Sequence, residues 1–183
     1  MGIQNNKIAE TPIAIIDFET TGLTAGLDKV IEVSVMRHTP GKDTELVMDT
    51  LVNPLSPVDA TWIHGITDQD VADAPTFSDI CGNLVDALSG SVVCSYNIYF
   101  DIKFLLAELQ SCGINVEIPH FCLMYMRPTL NKGKKRCKLI EACKEYGIEY
   151  KPGIHWAAND TIAATHLFHQ YLHEIAESES VPS

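Results

Sequence analysis

Apolar positions follow two periods along this chain. Residues 13–19 (IAIIDFE) form an almost continuous apolar run ending in acids, while 30–38 (VIEVSVMRH) and 45–53 (ELVMDTLVN) alternate. These segments predict three strands joined by short loops rich in Gly, Pro, Asp and Thr, an antiparallel meander. A polar, proline-containing stretch over 54–75 interrupts the pattern, after which Phe77, Ile80, Leu84 and Leu88 recur at helical spacing over 76–89. A short strand is expected at 91–95, then a helix to about Cys112 with Gly113 just beyond its cap. A helix over 138–146 stops at Gly147, and the longest helix spans about 160–177 before a polar tail. Strands followed by alternating helices and strands predict an α/β fold with a mixed sheet flanked by helices. With no repeat or linker, residues 1–183 read as one domain with an ordered core of about 11–177.

Composition supports that reading, since 183 residues with 46% hydrophobic and 8% aromatic content suffice for a substantial core. No apolar run approaches the roughly 18–20 residues of a membrane span, and MGIQNNKIAE lacks a signal-peptide core. A cytoplasmic protein with no membrane partner is expected. Six cysteines without a C-x-x-C pair suggest reduced thiols. A net charge of −11 argues against bulk electrostatic binding of nucleic acid. Residues 127–138 modify that picture, because Arg127, Lys132, Lys134, Lys135, Arg136 and Lys138 concentrate six of the 13 basic residues there without an acid. This segment is either a solvated loop tip or a phosphate-contacting one.

Candidate chemistry begins with Asp17 and Glu19. Positions i and i+2 of a strand share a face, so the two carboxylates enter one space and repel unless cations such as Mg²⁺ or Mn²⁺ lie between them. Asp101 and Asp160 each open a helix, where the dipole favours a carboxylate. His155 precedes Asp160 by five residues in a loop. Singly, each of these has an ordinary structural explanation. His166, His169 and His173 share one face of the last helix, but no Cys or acid completes a ligand set, which leaves a solvated face.

Together the segments resemble the DEDDh family of 3′-to-5′ exonucleases. Three motifs stand in order: D-x-E-T-T-G-L at Asp17–Leu23, N-x-x-F-D at Asn97–Asp101 and H-x-A-x-x-D at His155–Asp160. A fourth segment, Ile63 to Thr67, resembles the family's H-G-I-T loop. The resemblance implies an RNase H-like fold and phosphodiester hydrolysis that releases nucleoside 5′-monophosphates from a 3′ end. It assigns two Mg²⁺ or Mn²⁺ ions to Asp17, Glu19, Asp101 and Asp160, and the general base to His155. It also assigns substrate contacts to Thr20, Thr21, Gly22, Leu23, His64 and Asn97, and places Phe100 beneath the site.

Tyr96 stands where the family usually has an imidazole, and Ile98 where it has a small residue. Substrate contacts are therefore expected to differ while every metal ligand is retained. Within the family the basic segment and length look closest to exonuclease X and proofreading exonucleases, which implies DNA rather than RNA and a polymerase or repair partner. An oligoribonuclease or RNase T-like RNA exonuclease shares the same catalytic residues, and a noncatalytic binding module would lack a carboxylate.

Overall fold

The computed structural model describes residues 8–130, 135–150 and 157–180. Its sheet is built from β1 (Ile13–Thr20), β2 (Val30–His38), β3 (Glu45–Leu51), β4 (Val92–Ser95) and β5 (His120–Cys122). Strand order is β3-β2-β1-β4-β5. The first three strands are antiparallel neighbours, whereas β4 and β5 run parallel to β1, giving the mixed sheet expected from the pattern.

Both faces of the sheet are covered, and β1 shows why its sequence is a run rather than an alternation. Ala14, Ile16 and Phe18 pack towards α3 (Phe77–Leu88) and α4 (Ile98–Ser111). Ile13 and Ile15 pack instead with Leu123 of α5 (Leu123–Leu130), Ala142 of α6 (Leu139–Glu145), and Ala164, Leu167, Phe168 and Tyr171 of α7 (Ala157–Ser180). Odd-numbered β1 residues thus face α7, and Asp17 and Glu19 continue that row.

The 54–75 stretch contains two one-turn helices, α1 (Thr61–His64) and α2 (Asp68–Val71). Thr67 and Asp70 form a capping box on α2, and Thr76 and Asp79 form another on α3, each meeting otherwise unpartnered N–H groups. Strand β5 and helix α5 were not expected, and the basic segment is not one loop, since Arg127 lies in α5 and Lys138 caps α6. Residues 131–134 lie outside the described residues. Helix α7 begins at Ala157 rather than near 160. The histidine face of α7 also needs correction. His169 is half-buried, with Nε2 3.0 Å from Thr44 Oγ1 and its ring 5.3 Å from that of His38.

Candidate active site

The acids reach one end of the sheet by different routes. Asp17 and Glu19 close β1 on the α7 side. Opposite them in the antiparallel register stand Ser34 and Glu32 respectively, which therefore share that face. Between Glu19 and Thr20 the register slips, leaving Ile31 as an extra residue of β2. Such a bulge turns the strand end and re-aims its side chains.

Asp101 arrives from the other face. Parallel pairing between β1 and β4 covers only Ile13 to Ile15, so beyond that point a side chain can meet the β1 backbone. Asp101, in the first turn of α4, takes this place: Oδ1 accepts the Phe18 N–H at 3.2 Å and Oδ2 accepts the Ser95 hydroxyl at 2.6 Å. Asp160 is carried by the first turn of α7, and its Oδ1 accepts the Tyr150 hydroxyl at 2.6 Å. Buried Thr161 and Thr165 return their hydroxyls to the carbonyls four residues back, at 2.7 and 2.8 Å, so these two side chains meet the sheet with their donors satisfied.

Electrostatics binds these carboxylates into one cluster. Burial, then Asp101, Asp160, Glu19 and Glu32, pushes Asp17 well above the usual carboxylate range. Burial and the charges of Asp160, Glu32 and Asp101 raise Glu19 to about 8. Asp101 rises to about 7 through burial, against the lowering effect of its Ser95 and Phe18 hydrogen bonds. Among the described residues, every charged neighbour acting on Asp17 and Glu19 is another acid.

Glu32 is a member of this cluster that the motifs did not indicate. It is 3% exposed, and burial raises it to about 7 although the Ala157 N–H opposes the shift. Its sequence signal was weak, because an acid beside Val33 and Val35 reads as the solvent side of an alternating strand. Only α7, lying over that face, makes it a buried group.

Among the described residues, no three Asp, Glu, His or Cys side chains are drawn into a closed ligand cage. Asp101, Asp160 and Glu32 are each held instead by a hydrogen-bond donor. The residues nevertheless fit a hard cation, which prefers carboxylate oxygens and would relieve their mutual repulsion. Ser34 Oγ, on the same face as Asp17, is buried without a hydrogen-bond partner among the described residues, a polar group left to be satisfied beside the carboxylates.

The expected substrate residues separate into two groups. Thr20 and Thr21 are buried and serve their own turn: Thr20 Oγ1 donates to the Gly22 carbonyl at 2.6 Å, and Thr21 Oγ1 accepts the Lys29 N–H at 2.9 Å. Gly22 lets the Asp28 carboxyl group come close, since a Cβ there would lie 2.5 Å from it and oblige that side chain to move. Leu23 is 76% exposed and Asn97, which precedes α4, is also exposed. His64 is buried rather than at the surface. Its Nδ1 accepts the Ile66 N–H and its Nε2 faces the Asp59 carbonyl, both at 3.1 Å. Phe100 packs against Phe104 with ring centroids 5.0 Å apart. Tyr96 is a structural tie whose hydroxyl donates to the Cys137 carbonyl at 2.6 Å, and Ile98 is wholly buried. His155 lies outside the described residues.

Comparison with known proteins agrees with the motif reading. The RNase T-type exonuclease family model, described as "Exonuclease", matches residues 14–168. A DNA polymerase III subunit epsilon-like protein of Rhodobacter capsulatus is 30% identical over 173 residues, covering 89% of this chain and 25% of that protein. The chain spans 25% of the length of that protein and 12% of the DNA polymerase III PolC-type proteins of Caldanaerobacter subterraneus and Bacillus cereus, which are 25% and 28% identical over 92% and 93% of this chain. Among solved structures, exonuclease X in complex with 5′ overhanging duplex DNA matches with a TM-score of 0.64 at 24% identity, over 92% of this chain and 94% of that one. A 3′-exonuclease described in 3′-end specific recognition of histone mRNA stem-loop matches with a TM-score of 0.72 at 18% identity, over 90% and 83% of the two chains. Both likenesses place the sheet and its helices in the RNase H-like exonuclease fold.

Proposed function

Because the chain belongs to the exonuclease family, we propose that it is a metal-dependent 3′-to-5′ exonuclease that releases nucleoside 5′-monophosphates, with DNA as the favoured polymer. The observation that carries this reading is the cluster of Asp17, Glu19, Asp101 and Asp160, in which, among the described residues, the charged groups acting on Asp17 and Glu19 are acids. These four would hold two Mg²⁺ or Mn²⁺ ions, which when bound supply Lewis acidity at the scissile phosphate.

The chain's own groups do the rest. His155 takes a proton from the attacking water as general base, since imidazole titrates near working pH. Ser95 and the Phe18 N–H hold the Asp101 carboxylate in one orientation, and Tyr150 does the same for Asp160. The Thr20–Gly22 turn offers backbone groups to the terminal nucleotide, exposed Leu23 meets its base, and Asn97 lies on the strand's approach. In this reading residues 1–183 act as one domain in a cytoplasmic setting, alongside a polymerase or repair partner. All six cysteines are free thiols, and among the described residues no helix is long and apolar enough to cross a membrane.

The RNA reading keeps every carboxylate and is favoured by the mRNA-recognising structural neighbour. Single-stranded DNA and RNA of one sequence, labelled at the 3′ or the 5′ end, separate the two when incubated with Mg²⁺, Mn²⁺ or EDTA. Metal-dependent shortening from the 3′ end, faster on DNA, is expected. Faster RNA cleavage transfers the assignment to RNA, and an intact polymer under every metal overturns the enzyme reading.

A further inference from the structure

Beyond the carboxylates, an open groove of about 1090 Å³ begins at Asn97 and runs between Tyr125 and the segment that leads into α6. Lys135, Arg136 and Lys138 line it, against one lining acid, Glu141, whose Oε2 accepts the Lys138 N–H at 3.1 Å. In a chain of net charge −11 this is a concentrated cationic surface. The Tyr96 hydroxyl fixes its wall by binding the Cys137 carbonyl at 2.6 Å.

The aromatic content of the groove distinguishes it from a simple basic patch. The Arg136 guanidinium carbon lies 4.8 Å from the centroid of the Tyr125 ring, and its Nη1 donates to the Tyr125 hydroxyl at 2.6 Å. Tyr99 meets the same ring edge-on, with centroids 5.6 Å apart at 84°. The Tyr125 and Tyr99 residues are still 43% and 54% exposed. Exposed rings beside arginine and lysine form a platform for unpaired nucleotides, with bases stacking on the rings and phosphates meeting the cations. An acidic peptide would satisfy the cations but leave the rings without a matching partner.

We propose that this groove binds the single-stranded nucleic acid upstream of its 3′ terminus, with bases on Tyr99 and Tyr125 and phosphates on Lys135, Arg136 and Lys138. Asn97 sits at the start of α4, whose first turn carries Asp101, so a strand leaving the candidate active site enters the groove directly. The direction assigned to the strand rests on the exonuclease reading.

The test is the affinity of the whole chain for a 5′-labelled thymidine 20-mer in EDTA, which withholds divalent ions and so reads binding without turnover. Tyr125→Ala is expected to weaken binding roughly tenfold, as loss of one stacked base does. Arg136→Gln is expected to lower the salt slope by about 1. Tyr125→Trp keeps a stacking face and should hold wild-type affinity, which separates lost stacking from lost folding. The Tyr125→Ala penalty should vanish on a dinucleotide too short to reach the groove.

The proposal is overturned if the wild type does not bind the 20-mer, if Tyr125→Ala and Arg136→Gln both bind as the wild type does, or if the dinucleotide suffers equally. Displacement of the 20-mer by polyglutamate of matched charge, as effective as by unlabelled 20-mer, would also overturn it and assign the groove to acidic proteins. A failed exonuclease reading looks different: groove-dependent binding persists, yet no metal produces shortening.

Discussion

Glu32 Oε2 accepts the Ala157 N–H at 2.8 Å, joining residues 125 positions apart. The first N–H groups of a helix lack intrahelical partners, and here a sheet carboxylate supplies one. The bond ties the start of α7 to β2, and with it the position of Asp160 three residues later.

Removing that acceptor leaves a buried N–H unpaired, which costs about 1–3 kcal/mol. Glu32→Ala should therefore melt several degrees below wild type at pH 7 and lose kcat roughly tenfold, the scale of disturbing a group that supports a ligand. Glu32→Gln retains an acceptor oxygen and should stay within twofold of wild-type kcat. Thermal melts and steady-state rates on one substrate check this. Equal defects in both variants would assign the role of Glu32 to its charge rather than to this bond.

Stability of the metal-free protein should fall as pH rises. Glu32 and Asp101 are raised to about 7 and Glu19 to about 8, each by burial first. For a carboxyl group whose folded value exceeds its unfolded one, the neutral form favours folding. Its contribution is complete below about pH 4 and is lost as pH climbs through 7 and 8. Saturating Mn²⁺ should then raise Tm by about 5–10 °C at pH 8. At pH 5 the gain should be much smaller, because protons compete for the same oxygens. Melting curves in EDTA and in Mn²⁺ at both pH values decide it, and the same shift at both would remove the carboxylate cluster as the metal site.

Tyr150 donates to Asp160 Oδ1 at 2.6 Å, and a neighbouring donor that orients a ligand typically contributes 10–100-fold to metal affinity. Tyr150→Phe is expected to move the Mn²⁺ concentration for half-maximal rate upward by roughly tenfold while the saturated rate changes less. Rates measured across a Mn²⁺ titration test this. An unchanged midpoint would make Tyr150 a packing residue only.

Much of the sheet was legible because its signals are local. The continuous run of β1 follows directly from both its faces being covered, whereas the alternation of β2 marks a strand correctly but hides that Glu32 and Ser34 are buried. Gly113 and Gly147 stand at positive φ just past α4 and α6, as expected of helix-ending glycines. Strand β5 was missed because its three residues, His120 to Cys122, are too few to show a period. Helix α5 was missed because Pro128 argues for a loop, yet the helix continues to Leu130. Glu32 and the buried state of His64 depend on distant chain packing over them, information that neither residue's neighbours carry. Tyr96 misled in another way, since a residue at a motif position proved to hold the wall of the groove.

The carboxylate cluster also predicts a conflict between stability and activity. Asp17 is raised by four other acids in addition to burial, so ionising it in the metal-free fold is unfavourable. Asp17→Asn keeps the shape, removes one charge from the cluster and should raise Tm in EDTA at pH 8. The same change removes a ligand oxygen's charge from the proposed metal site and should lower hydrolysis on the order of 10³-fold or more, the range seen when a member of a cooperating catalytic set is removed. A variant both more stable and inactive is the pattern expected of a site whose residues are chosen for chemistry against the interest of the fold. Paired melting and rate measurements in EDTA and Mn²⁺ would show it. Wild-type hydrolysis by Asp17→Asn would remove Asp17 from the mechanism, and a lower Tm in EDTA would show that its carboxylate supports the fold rather than opposing it.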